Sequence, residues 1–188
     1  MKITGIYLNI KSTEILNYIA THKNFKDAWL NCDNGDWLIK IARDLEIDVF
    51  TYVKAKALCA NTVSSLMANK LSILAVDTAM HYADKKSTYR ELCNSFWKAN
   101  RVCLSDQLIS MNHSADCAAC SASEYDYDRP SSYQFLNEYV CNAVYHDIIS
   151  KGGTTTDAEL AMKTSKKDTA NICRQVLTKE VYKILNLK

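Results

Sequence analysis

Along most of this chain apolar residues recur at intervals of three and four, the spacing of one face of an α-helix. Ile15, Leu16, Tyr18 and Ile19 make the first such stripe, with Ser12 or Thr13 placed to cap it. Asn24 precedes a short segment, residues 25–32, that sets Phe25, Ala28, Trp29 and Cys32 on one side. The NCDNGD stretch at 31–36 reads as a turn, with Gly35 free to take a positive φ and Asp36 placed to cap the helix that follows. That helix carries Trp37, Leu38, Ile41 and Leu45.

Two further stripes follow, Phe50, Val53, Ala57, Ala60 and Ser64 within 48–67, and Ile73, Val76, Ala79 and Met80 within 72–83. Thr88 and Glu91 have the spacing of a capping box, in which each side chain satisfies the other's unpaired backbone N–H. They open the longest helical pattern, from Tyr89 through Leu92, Phe96, Ala99 and Cys103 toward Ala119. The EYDYDRP segment at 124–130 is the clearest interruption, and a helix over 132–150 follows it. Gly152 and Gly153 suit a left-handed helix end. Thr156 and Glu159 read as a second capping box, and Ile172, Val176, Val181 and Leu185 carry the pattern onward. Only residues 7–10 could be argued as strand.

Composition strengthens this picture. The 188 residues include only four glycines and one proline. Turn-rich β folds place those residues at most corners, whereas helices exclude both from their interiors. The expectation is an all-α, single-domain bundle of about seven to eight helices spanning 1–188, with the turn at 124–130 as the one place to subdivide it.

The formal charge of +2 is too small for wholesale binding of nucleic acid or an anionic membrane. No stretch approaches the ~18 apolar residues that cross a bilayer. The first ten residues show no long apolar region and no small-residue cleavage site, so a cytoplasmic location is expected. The eight cysteines are dispersed through helical segments and read as small buried hydrophobes rather than a disulfide framework.

Three segments, taken together, carry a resemblance. They are Ala28-Trp29-Leu-Asn-Cys32-x-x-Gly35-Asp36-Trp37, then Lys54-x-Lys56-x-x-Cys59-x-x-Thr62-Val63-x-x-Leu66-Met67, and Thr169-Ala-Asn-Ile-Cys173-Arg174-x-x-Leu177-Thr178. The combination resembles a family of small helical proteins from phages, prophages and genomes of gut bacteria. Some of its members are labelled immunity proteins. The resemblance spans most of the chain in order, and it implies the helical fold and a host bacterial cytoplasm. In that family the middle helices are often Ala-rich runs broken by Tyr, Asp and Arg; here residues 93–145 keep a diluted version, as in SADCAACSA at 114–122. The resemblance carries no transferable activity. It implies a role in conflict between phage and host, or between toxin and antidote.

Candidate chemistry is sparse. His113, Cys117 and Cys120 share a helix face, but tetrahedral zinc needs a fourth ligand, and two cysteines standing for alanines is the plainer account. There is no G-x-S-x-G elbow, no histidine at a diagnostic spacing and no phosphate loop. Neither an enzyme nor a cofactor is expected. Lys54 and Lys56, two positions apart, face different ways. Trp29 and Trp37 fit the core.

Binding has better support. Trp97 and Arg101 lie four apart on one face, with Arg90 two turns before Trp97, and an indole beside a guanidinium can stack on a base and pair with a phosphate. Arg129, Tyr133 and Tyr139 could join them from the next helix and the turn before it, whereas Trp97 in the core with the Arg101 stem across it is the plainer account. The favoured reading is a non-enzymatic phage or mobile-element protein that sequesters a small anionic ligand, such as a nucleotide immune signal, in a pocket that a homo-oligomer could complete. The alternative is an immunity-type protein that neutralises a toxin by protein contact. A phage accessory protein without a defined ligand is the third.

Overall fold

The computed structural model describes residues 10–105, 111–123 and 136–187. Within them the chain forms nine α-helices and a 3-10 turn at Ser64–Leu66, and no strand. The helices are α1 (Thr13–Ala20), α2 (Phe25–Asn31), α3 (Gly35–Asp44), α4 (Val49–Asn61), α5 (Lys70–Ala83), α6 (Tyr89–Ser105), α7 (Met111–Ser123), α8 (Leu136–Ser150) and α9 (Thr155–Ile184). None of these is long and apolar enough to cross a membrane.

The expected count of seven to eight helices is low, because the 89–119 pattern is two helices. Its apolar period runs on from Cys103 to Ala119, so periodicity alone does not show the division. Packing does: α6 and α7 lie against each other, which one straight helix could not do.

α4 is the hub. Tyr52, Val53, Ala55, Lys56, Ala57, Cys59 and Ala60 are all buried, so nearly every side of the helix is covered, by α3, α5, α7, α8 and α9. A helix apolar on most sides belongs at the centre of a fold. α7 is the second inner helix, with Ala115, Ala118, Ala119 and Ala122 fully buried. Its small side chains let α4, α5, α6 and α8 crowd around it. Leu38, Leu92, Leu136 and Leu177 fill the core from the surrounding helices.

The helix ends follow local chemistry. Asn24 and Asp48 cap α2 and α4 by accepting the N–H groups of Asp27 and Thr51. Ser12 holds the N-cap position just before α1 but makes no side-chain cap bond. α3 is capped by Asn34, which accepts from Asp36 and Trp37, and not by Asp36 as its position suggested. The α6 capping box is present: Thr88 donates to Glu91, and Glu91 N–H donates to Thr88 Oγ1 at 3.3 Å. α4 ends at Asn61, short of the expected 67, where the Thr62 hydroxyl donates to the Cys59 carbonyl at 2.7 Å.

Gly152 takes φ 85°, the left-handed end expected of it, and returns the chain to α9. The α9 capping box is Thr154 with Asp157, two residues earlier than Thr156 and Glu159. Aspartate can make the same reciprocal contact as glutamate, so a search for Glu alone places the box wrongly. Thr154→Ala is therefore expected to lower stability by about 1 kcal/mol while Thr156→Ala leaves it within about 0.5 kcal/mol. Urea unfolding of the two variants checks this, and equal losses would contradict the assignment.

The three segments of the family resemblance meet in space. Trp29 is 1% exposed, and its indole N–H donates to Thr178 Oγ1 at 2.8 Å. The Arg174 guanidinium donates to the Cys32 carbonyl. Cys59 and Cys173 lie sulfur to sulfur at 3.7 Å, and their thiols reach the carbonyls of Thr169 and Gly35. Gly35 is where α3 crosses α9: a Cβ there would sit 3.3 Å from the Thr169 backbone. These residues hold α2, α3, α4 and α9 together.

Candidate functional site

The residues singled out on α6 are placed on its outer side. Leu92, Ser95 and Ala99 turn inward and are buried, which leaves Arg90, Asn94, Trp97, Lys98 and Arg101 exposed. Trp97 is 48% exposed, so it is not a core residue, and its ring meets that of Phe96 edge-on at 5.1 Å. Tyr139 is half-buried on α8 and packs against the core. Arg129, Tyr133 and the acidic turn at 124–128 lie outside the described residues.

The exposed side of α6 borders a groove against α5, about 360 Å³ in volume. Thr78, His81, Lys86, Asn94 and Lys98 line it with polar groups, and Leu74 supplies an apolar patch. Lys86 pairs with Asp84 at 3.4 Å, and Asp84 also takes Lys54 at 3.1 Å. Glu91, the acid in the groove lining, is held by the Thr88 N–H and hydroxyl, which keep its carboxyl below the usual range. With Arg90 and Arg101 alongside, the strip leans positive.

Lys54 and Lys56 do diverge. Lys54 reaches Asp84 at the surface, whereas Lys56 is fully buried with its ammonium 5.3 Å from the Tyr52 ring centre. Cys117 lies 3.6 Å from His113 Nε2, while Cys120 points to Asn100 Oδ1 at 3.5 Å. No group of three His, Cys, Asp or Glu side chains among the described residues could hold a metal.

A second cavity opens on the other side of the hub. It measures about 410 Å³ and lies between α1, α3, α8 and α9. Asp36, Asn137 and Cys141 form its floor and Trp37 a wall, while Glu14, Glu138 and Lys166 stand exposed at the rim. Asp36 has reached across to α8: its Oδ1 accepts the Asn137 N–H at 2.8 Å. Burial pushes the Asp36 carboxyl up to about 7, against the pull of the Asn137 and Glu138 N–H groups. Asn137 in turn accepts from the buried Thr169 hydroxyl.

No known protein family, curated protein or solved structure matches the chain. The two cavities therefore stand on their own chemistry.

Sequence reasoning missed the second cavity. Its lining comes from positions as far apart as Glu14 and Lys166, and no spacing rule joins them. Asp36 is conspicuous in the sequence, but an Asp next to a helix start reads as a cap for that helix rather than for one brought in from a distance.

Proposed function

We propose that this is a non-enzymatic binding protein that takes up a small anionic, nucleotide-like ligand along the α5–α6 groove. The observation that supports it best is the exposed indole of Trp97 set among Arg90, Lys98 and Arg101. In this reading Trp97 stacks on the base, while Lys98 and Arg101 take the phosphate and Arg90 extends the positive strip. The adjoining groove, which Lys98 lines and Trp97, Arg90 and Arg101 flank from outside the lining, has a volume within the 300–1,000 Å³ of small-molecule sites. The resemblance to phage-borne helical proteins adds the context, sequestration of a nucleotide signal of host defence.

Calorimetric titration with mono-, di- and cyclic nucleotides tests this. Stacking of one base on an aromatic ring contributes about 1–3 kcal/mol. Trp97→Ala is therefore expected to weaken binding roughly 5- to 150-fold, and Arg101→Ala to weaken phosphate-bearing ligands but not nucleosides. Absence of binding by every nucleotide would refute the reading.

One observation favours a second reading. Trp97 is a large aromatic ring about half exposed on the outer side of α6, and Trp and Arg are the residues that most often dominate protein interfaces. The same strip would then serve an immunity-type contact with an acidic toxin surface. A stable complex with a toxin that Trp97→Ala disrupts, beside no nucleotide binding, would favour this second reading.

A further inference from the structure

We infer that the cleft between α1, α3, α8 and α9 is a separate binding site for a planar group with two parallel N–H donors, held by the Asp36 carboxylate beside the Trp37 indole. A guanine edge and a guanidinium both present that fork. The inference does not rest on the α6 reading and shares no residue with it.

The first support is that Asp36 is an acid where none is needed. As a cap for α8, a neutral Asn or Ser would serve equally well. An ionised carboxylate in an enclosed place carries a desolvation cost that a neutral cap avoids. Among the described residues Asp36 forms no ion pair to offset it. A carboxylate offers about four acceptor positions. Two backbone N–H groups of α8 leave capacity on the side that lines the cleft.

The second support is the charge around it. Glu138 and Cys141 of α8, with Lys166 and Cys173 of α9, are the titratable groups closest in effect to Asp36 and its neighbours. Glu138 acts on Asp36 more strongly than Lys166 does. Lys40 of α3 and Glu14 of α1 line the cleft as well. With Asp36 on the floor and Glu14 and Glu138 at the rim against Lys40 and Lys166, carboxylates outnumber ammonium groups in the lining, which favours N–H donors over phosphate.

Shape is the third. Trp37 is half-buried and its ring is braced edge-on by Tyr18 at 5.2 Å, so the wall is stiff as well as planar. Met162 supplies a further apolar contact, and Asn142 an amide. The volume accommodates a nucleoside or a free amino acid.

Calorimetry at pH 8 on the full chain tests the site, with guanosine and L-arginine as probes and adenosine and L-lysine as controls lacking the fork. Binding of guanosine alone identifies a base site, and of L-arginine alone a guanidinium site. Either should weaken at least about tenfold in Asp36→Asn and at pH 5.5, and be unaffected by Trp97→Ala. Trp37→Leu provides a second variant that leaves the acid in place and should also weaken the bound probe. Failure of both probes to bind the unaltered protein, equal binding of the controls, or unchanged affinity in Asp36→Asn would overturn the inference.

Discussion

Asp36→Asn is expected to melt at a higher temperature than the unaltered protein at pH 8, and the gap should close toward pH 4. The sign follows from the raised carboxyl. An unfolded Asp titrates near 3.8 and the folded one near 7, so between these values the folded chain holds the extra proton. Stability then falls as pH rises through that window and levels off above it. Three units correspond to at most about 4 kcal/mol, reduced by whatever water the cleft admits. Asparagine carries no charge at either pH and keeps an oxygen to accept the Asn137 N–H. The difference between variant and unaltered protein isolates this group from Glu91 and Asp157, whose lowered carboxyls act in the opposite direction and lose their contribution as pH falls. Thermal melts from pH 4 to 8 decide it, and a constant gap across that range would disprove the assignment.

Trp29→Ala should cost about 3–5 kcal/mol, the range for removing a large aromatic side chain from a close-packed core. Trp29 is 1% exposed, stacks on Phe25 with ring centres 5.9 Å apart and donates to Thr178 on α9. Its loss opens a cavity at the α2–α9 contact and also removes a long-range hydrogen bond. Trp29→Phe separates the two contributions: it keeps much of the ring volume, loses the N–H, and should cost about 1–2 kcal/mol. Urea unfolding measures both. A loss below 1 kcal/mol for Trp29→Ala would mean that α2 is not anchored as the structure has it.

These two residues show how far the sequence is legible. Trp29 could be placed in the core from its spacing with Phe25 and Cys32, because a helix repeats its buried face every three to four residues. The α6 side chains could be placed together for the same reason. Thr88 and Glu91 could be recognised as a cap because the contact is local. The α6–α7 division escaped because the apolar period carries across it. Asp36 escaped because its partner is 101 residues away and belongs to a different helix. Local periodicity sets which face turns inward; it does not say which helices will be neighbours, and the cleft is made only by neighbours. The exposure of Trp97 depends on the same unknown.

The 30 residues of α9 form a rod about 45 Å long at 1.5 Å per residue. It clasps α2, α3, α4 and α8, and several of its contacts span 110 to 149 residues of sequence. On a ribosome, α9 is made after every helix it joins. Trp29, Gly35 and Cys59 must wait for their partners until α9 is made, and the cleft floored by Asp36 cannot close before Lys166 has emerged. Completion of this fold therefore waits for α9, and a nascent chain stalled before α9 exposes apolar surface that the folded protein hides.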